Sequence, residues 1–310
     1  MKRHTLGMLF LLAGSLAAGP AMAEGVVRTA ALPPATRAAL IQDIEAARVS
    51  SPQIFERLAR MRSRVAELDA AKRGRFAPIA LYLKQLGPET LLPMLEAIAI
   101  DADERGDLTD TAWAAWRAGL IEAVGGNRDV RAQPVLLAVL QGPETDAMIV
   151  RSTAEAVGKL GTDEAVAALL PLATTAGPKR LAVVSGMGAC RRAQVAETLA
   201  SLLAGADEEL SLAAIRSLGD VGNSRAWKTS SVAVWANEQE AVQSMAATAL
   251  VQVLATTESV ALRKAANNAL MVVDYAGTPA LLAAAQATAG ADTKAVLEAA
   301  AKRFARNPAR

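Results

Sequence analysis

The segment from Ile149 to Leu172, IVRSTAEAVGKLGTDEAVAALLPL, contains two runs of helical pattern joined by a glycine and a threonine. Glycine suits the left-handed residue that ends a helix, and threonine suits the N-cap of the next helix. Asp163 and Glu164 then favour the positive end of that second helix. In the first run, apolar residues recur at roughly helical spacing: Ile149, Ala154, Val157 and Leu160.

A phosphate-binding loop is the alternative interpretation of the glycines in this segment. That loop has the form G-x-x-x-x-G-K-[ST] and follows a strand. Gly158-Lys159-Leu160-Gly161-Thr162 has a different spacing and follows a helical pattern. The segment therefore predicts a corner between two helices.

The same corner recurs along the chain, at Gly126-Asn127, Gly222-Asn223 and Gly277-Thr278, the last with Pro279 in the first helical turn. With the corner at Gly161 included, the intervals between successive corners are 35, 61 and 55 residues. The two longer intervals hold two units each if degenerate corners lie near Cys190 and Thr256-Thr257. Helix pairs that recur at about 30 residues are typical of an α-solenoid. Abundant alanine and an aromatic content of 3% also favour an all-α fold.

These helix pairs resemble HEAT-like repeats, in which the first helix begins with an apolar–arginine pair and ends at a glycine corner. Ile149–Leu172 follows this pattern closely, Leu210–Trp227 lacks the early arginine, and Val260–Val273 keeps it as Arg263. The resemblance covers roughly Thr109 to Ala289. It implies a right-handed α-solenoid with one extended surface, which we expect the second helices to form. It implies little about function, because such repeats scaffold many unrelated assemblies.

We predict three regions: a signal peptide over residues 1–23, an N-terminal helical cap region over 24–106, and a HEAT-like repeat array over 107–310. The array is expected to end in a capping helix at about Thr293–Arg306. In the cap we expect a helix over Pro34–Arg48 and a longer one from Pro52 to Gly74, with Ser51 as its N-cap. Two shorter helices follow, for which degenerate repeats are the alternative.

The first 23 residues have the pattern of a secretory signal peptide. A charged start precedes the apolar run Leu6–Ala18, and Ala21-Met22-Ala23 fits a cleavage site after Ala23. The apolar run is short for a membrane span. We therefore expect a periplasmic or secreted protein with no membrane span in the mature chain.

Cleavage would remove His4, the only histidine, and with it imidazole chemistry. Removing Lys2 and Arg3 from the 33 basic residues leaves 31, which equals the 31 acidic ones. A balanced charge argues against nucleic acid as the partner. The single cysteine, Cys190, cannot form an internal disulfide.

The loop DADERGDLTDTA, from Asp101 to Ala112, is a candidate calcium site. Asp101, Asp103 and Asp107 fall where an EF-hand loop places ligands, but Arg105 occupies another ligand position and Ala112 replaces the bidentate glutamate. The alternative is a solvated loop in which Thr109 or Asp110 caps the following helix.

Cys190 precedes Arg191 and Arg192, and neighbouring cations lower a thiol pKa. The alternative, which we favour, is a small apolar residue at a helix end.

Trp227, Lys228 and Trp235 form a candidate partner-binding group. The two tryptophans are eight residues apart and share a face if one helix carries both. Core packing is the favoured interpretation, and Trp235 is the residue expected to be partly exposed and to anchor a partner.

Arg151, Arg180 and Arg263 stand near the starts of predicted first helices. They are candidates for a ladder of ion pairs with acidic residues of neighbouring corners, or for a groove that binds an acidic partner. We favour the ladder, and keep Arg151 and Arg180 as partner-binding candidates.

The sequence thus predicts an exported, non-enzymatic scaffold or adaptor that binds a protein or peptide in the cell envelope, with no cofactor, no metal and no catalytic residue assigned. A HEAT-like lyase or a carboxylate-dependent enzyme is the first alternative, with Glu155, Glu197 and Asp220 as the available carboxylates. An envelope glycan binder is the second, and it would require surface positions for Trp113, Trp116 and Trp235.

Overall fold

The structure is a computed structural model that describes residues 31–102, 104–205, 207–229 and 235–307. Within these ranges the chain forms helices and turns and no β-strand. The all-α prediction is therefore confirmed. The predicted signal peptide over residues 1–23 lies outside the described residues.

The α-helices of the described ranges are α1 Pro34–Ser50, α2 Pro52–Ser63, α3 Val65–Ala70, α4 Ile79–Gln85, α5 Leu91–Ala99, α6 Asp110–Asn127, α7 Gln133–Gln141, α8 Ala147–Leu160, α9 Asp163–Thr174, α10 Arg180–Gly186, α11 Ala193–Leu202, α12 Glu208–Val221, α13 Ser224–Trp227, α14 Gln239–Thr256, α15 Val260–Val273, α16 Thr278–Thr288 and α17 Ala291–Ala305.

The helices stack in two layers, as an α-solenoid requires. Each first helix packs on the next in the order α4, α6, α8, α10, α12 and α15. The second helices follow in the order α5, α7, α9, α11, α14 and α16. We call these the first-helix layer and the second-helix layer. One continuous apolar core lies between them.

Additional helices cover both ends of the array. At the N-terminal end, α1 and α2 pack on α5, and α3 packs on α6. Helices α4 and α5 extend the two layers, as the degenerate-repeat alternative for this region expects. At the C-terminal end, α17 packs on α14 and α16, close to its predicted position. These helices cover apolar repeat faces that water would otherwise reach.

The corner at Gly161 and Thr162 forms as the sequence predicts. Gly161 has φ 67° and ends α8 in the left-handed region. The Thr162 hydroxyl accepts the Ala165 N–H at 3.1 Å and so caps α9.

The other glycine corners differ from the prediction. Helix α6 runs through Gly126-Asn127, and the left-handed residue is Arg128, with φ 53°. Gly222 has φ −85°, although Asn223 does cap the next turn. At the last corner Asp274, with φ 45°, takes the left-handed role that the sequence assigned to Gly277.

Hydrogen bonds explain why residues other than glycine occupy two of these turns. The left-handed conformation disfavours residues that carry a Cβ. Arg128 donates from its guanidinium to the Lys159 carbonyl at 2.7 Å, and Asp274 accepts from the Asn307 amide at 3.2 Å. These contacts with the next repeat or the capping helix offset the conformational cost.

Two further helix predictions were wrong. The expected helix from Pro52 to Gly74 is two helices, because the helix is interrupted at Arg64, between α2 and α3. Ser51 precedes α2 without a side-chain capping bond. Trp227 and Trp235 do not share one helix, since α13 ends at Trp227 and Trp235 begins a 3₁₀ turn over residues 235–238.

Small residues allow successive first helices to pack very closely. A Cβ added at Gly125 would lie 2.6 Å from the Ala156 Cα. One added at Gly188, in the 3₁₀ turn that follows α10, would lie 2.7 Å from the Ser217 carbonyl oxygen. Gly219 packs in the same way on Ala269, with a Cβ distance of 3.1 Å. Glycine at these contacts therefore sets the spacing of the layer, although glycine within a helix weakens it.

The adjacent glycines Gly125 and Gly126 provide a matched test of this spacing. We expect Gly125→Ala to lower the free energy of unfolding by about 1–3 kcal/mol, because the backbone of α8 must move. We expect Gly126→Ala to raise it by up to about 1 kcal/mol, because the new methyl group meets only the flexible Lys84 side chain. Urea unfolding curves measure both, and equal effects of the two substitutions would contradict the close-packing argument.

Candidate functional site

Two grooves open on the outer surface of the first-helix layer. The C-terminal groove, of about 600 Å³, lies between α8, α10, α12 and α15. The N-terminal groove, of about 520 Å³, lies between α4, α6 and α8. Arg151 of α8 lines both, so the grooves form one continuous surface, which we call the first-helix face. The sequence placed the binding surface on the second helices, whereas these grooves lie on the opposite layer.

Three cationic side chains line the C-terminal groove, and each comes from a different helix. Arg151 lies on α8, Arg216 on α12 and Lys264 on α15, and all three are exposed. None of them forms an ion pair within 4 Å in the described part of the chain. The remaining lining combines apolar residues such as Leu212 and Val272 with the polar Ser185, Asp220 and Asn268.

Two carboxylates of the first-helix face have partners on that face. Glu155 forms an ion pair with Lys159 at 2.7 Å. Glu122 lies 3.9 Å from the Lys84 ammonium and accepts the Ser152 hydroxyl at 3.1 Å. These contacts reduce the negative potential that the two groups present to solvent.

Asp220 has an altered environment in the C-terminal groove. The Asp220 side chain is partly open to solvent. The walls of the groove nevertheless desolvate the carboxylate and raise its pKa, and the nearby Glu155 charge acts in the same direction. Arg191 and Arg151 oppose this shift. Of the carboxylates that the sequence singled out, the structure therefore brings Glu155 and Asp220 together. Glu197 is separate, since it is exposed on α11 in the other layer.

The predicted ladder of ion pairs does not form through Arg151, Arg180 or Arg263 in the described residues. Arg180 donates instead to the Ala173 carbonyl at 2.9 Å, and the Nε of Arg263 is buried without a hydrogen-bond partner. The inter-repeat contacts come from other arginines, at the corners. Arg128 bonds the Lys159 carbonyl, and Arg192 donates to the Gly161 carbonyl at 2.8 Å.

Arg192 also fixes the position of Trp235. The guanidinium lies 4.2 Å from the centroid of the Trp235 ring and pairs with Asp163 at 3.0 Å and Glu238 at 2.8 Å. Trp235 is partly buried by these contacts. It therefore packs against a corner of the array, which is the structural role that the sequence favoured.

The remaining tryptophans are buried. Trp113 and Trp116 are 4% and 1% exposed, so neither supplies the surface platform that a glycan binder would need. Trp227 is also buried, and its indole donates to the Val221 carbonyl at 2.9 Å. Lys228 is exposed beside it, outside the residues that line either groove.

The candidate calcium loop is described except for Asp103, which lies outside the described residues. The Thr109 hydroxyl caps α6 by accepting the Ala112 N–H at 3.1 Å, as the alternative interpretation expects. Arg105 donates to the Leu108 carbonyl and pairs with Asp110 at 2.6 Å. Within the described ranges, no group of three or more histidine, cysteine, aspartate or glutamate side chains could hold a metal ion.

Cys190 is buried against the glycine face of α8, where it lies close to Gly158. Burial raises the pKa of its thiol to about 12 and outweighs the opposite effect of Arg192 and Arg191. The buried position fits the small apolar residue that the sequence favoured, and both the burial and the raised pKa argue against a reactive thiolate.

No protein-family model and no curated protein matches the chain. The solved structures that are similar to it include the following two, both at low levels of identity. The complex of CpcE and CpcF of phycocyanin lyase from Nostoc sp. has 19% identity and a TM-score of 0.39, over 74% of this chain and 85% of that one. Human deoxyhypusine hydroxylase has 16% identity and a TM-score of 0.29, over 83% and 99% of the two chains. Among the helices of the described residues, none is long and apolar enough to cross a membrane.

Asp220 gives a prediction of pH dependence. Its pKa in the folded chain is raised above the ordinary value of 3.8, so the folded state holds this proton more tightly than the unfolded state. Ionisation therefore lowers the free energy of unfolding as the pH rises from about 3.8 through the folded pKa. We expect Asp220→Asn to raise the free energy of unfolding more at pH 7 than at pH 4, measured by urea unfolding.

Glu197→Gln is the control, because Glu197 is exposed on the other layer. We expect it to change the free energy of unfolding by less than about 0.5 kcal/mol at both pH values. A stabilisation by Asp220→Asn that is equal at the two pH values would contradict the desolvation argument.

The burial of Cys190 gives a second prediction. We expect the native chain to react with a thiol reagent at pH 8 far more slowly than the same chain in guanidinium chloride, because both burial and the raised pKa suppress the thiolate. Comparable rates in the two conditions would show that the thiol is accessible.

Proposed function

We propose that the chain is an exported, non-enzymatic scaffold or adaptor that binds a protein or peptide partner in the cell envelope. The binding surface is the first-helix face. The observation that carries this proposal is the continuity of the two grooves at Arg151, together with three exposed cations that make no ion pair with the described residues. Side chains that the fold does not use are available to a ligand.

The export part of the proposal rests on the sequence of residues 1–23, with its apolar run and its small residues before Glu24. It places the partner in the periplasm or outside the cell.

Binding is favoured over catalysis by the environment of the Glu155 and Asp220 carboxylates. Asp220 lines the C-terminal groove and Glu155 lines the N-terminal groove, and Lys159 already pairs with Glu155. General acid–base catalysis by such a pair requires positions within hydrogen-bond reach of a held substrate. Two open, joined grooves instead fit a chain laid across them.

Photo-cross-linking tests the location of the surface. Leu212 lies in the C-terminal groove, so a photo-reactive amino acid in its place should cross-link one dominant partner in an envelope extract of the source cells. Mass spectrometry identifies the product. The yield should fall when Arg151→Glu is added, because the altered charge lies at the junction of the two grooves.

The controls carry the same photo-reactive amino acid at Glu164 of α9 or at Thr248 of α14, which are exposed on the second-helix layer. We expect little product from either position. A dominant partner captured from those positions, and not from Leu212, would place the binding surface on the second helices and overturn the proposal.

A further inference from the structure

We propose that the partner segment held on the first-helix face is an acidic peptide segment in extended form, with its carboxylates near Arg216 and Lys264. This inference rests on the proposed function, because it assigns the chemistry of the ligand to that same face. It follows from the distribution of charge over the two layers, from the pairing of the local carboxylates and from the shape of the groove.

The two layers of the array differ in charge although the whole chain is nearly balanced. The second helices α7, α9, α11, α14 and α16 contain no lysine or arginine. Their charged residues are all acidic: Asp163, Glu164, Glu197 and Glu240. An acidic ligand would be repelled by that layer and attracted by the cations of the first-helix face.

The cations of the C-terminal groove occupy two positions along the first helices, counted back from the residue that ends each helix. Arg151 and Lys264 each lie ten residues before the corner residue of their helix, Gly161 and Asp274 respectively. Arg216 lies six residues before Gly222. Since the first helices lie side by side, these positions form rows across the face, and the stacking itself brings the cations to one groove.

The acidic groups of the face leave two of these cations free of an ion pair. Lys159 neutralises Glu155, and Lys84 with Ser152 holds Glu122. Asp220 lines the same groove, and its charge interacts with Arg151 and Arg191. Arg216 and Lys264 have no ion-pair partner within 4 Å among the described residues, and their exposure leaves them accessible. An arriving carboxylate can therefore form charge-assisted hydrogen bonds with them without displacing an existing ion pair.

The other residues that line the groove select the rest of the ligand. Leu212, Ala265 and Val272 offer apolar surface. The Asn268 amide nitrogen offers a donor, while its oxygen already accepts from the Arg303 guanidinium at 2.8 Å. A peptide that alternates acidic with small apolar residues complements this pattern.

The length of the face indicates the length of the segment. Six first helices spaced about 9 Å apart span roughly 45 Å, which an extended chain of about 14 residues covers. The matching ligand is therefore a linear segment and not a single small anion.

The test is selection of binders from a random library of 14-residue peptides displayed on phage, with the mature full chain as bait. We expect the selected peptides to be enriched in aspartate and glutamate. Their affinity, measured by fluorescence anisotropy on synthesised copies, should fall about tenfold for the double variant Arg216→Gln, Lys264→Gln, because two exposed charge pairs are lost. The affinity should also fall as salt is added.

The matched control is the double variant Arg37→Gln, Arg60→Gln, which removes two exposed cations from α1 and α2. It should bind the selected peptides as the unaltered chain does. Circular dichroism of both double variants verifies that they are folded, which their exposed positions lead us to expect.

The outcomes separate this inference from the proposed function. Peptides that bind the first-helix face without acidic enrichment, or that bind the groove variant unchanged, overturn the charge inference and leave a peptide-binding face. Peptides whose binding is lost at Arg151→Glu but kept at Arg216→Gln, Lys264→Gln would move the acidic site to the N-terminal groove and overturn its assigned position. A library that yields no binder overturns the peptide inference and leaves the proposed binding of a folded protein, which the cross-linking from Leu212 tests separately.

Discussion

The close approach of successive first helices is the constraint on which the rest of the structure depends. Gly125 lies against Ala156, Gly188 against Ser217 and Gly219 against Ala269, with no room for another methyl group at the first two contacts. The second helices bury larger side chains, such as Leu169, Leu199 and Leu250. Helix spacing depends on the side chains at the contact, so small residues allow the first helices to approach closely.

This spacing also determines what the corners and the grooves can do. Because the first helices end side by side, an arginine at one corner reaches the terminal carbonyl of the neighbouring helix, as Arg128 and Arg192 do. Those contacts satisfy carbonyls that a helix end leaves free. Toward the middle of the helices, the same alignment places Arg151, Arg216 and Lys264 around one groove. Corner arginines are thus part of the fold, whereas the cations of the groove remain available to a ligand.

The helix pairs, the corner at Gly161 and the core position of Trp227 could be predicted from the sequence, because each depends on local spacing or capping. The other corners could not, since glycine serves a different purpose there. Gly125 allows close packing, and the turn falls at Arg128, whose cost is offset by a bond to a residue 31 positions away. A pattern of residues along one helix contains no record of such long-range contacts.

The same limitation explains the candidate site. The apolar–arginine pattern aligned Arg263 with Arg151. The corner lies at Asp274 and not at Gly277, and the residue ten positions before it is Lys264, which lines the groove as Arg151 does. Arg216 was not predicted, because the equivalent position of α8, six residues before the corner, is occupied by Glu155. Trp235 is partly exposed, as expected, but the sequence does not show that it packs on Arg192.

Occupation of the first-helix face by a partner is measured by hydroxyl-radical footprinting of the chain with and without its captured partner. Met148, Leu212 and Val272 line the grooves, whereas Leu172 and Met245 are partly exposed on the second-helix layer. We expect a bound partner to protect the first three side chains from oxidation and to leave the other two unchanged. Protection of Leu172 and Met245 alone would show that the partner binds the second-helix layer instead.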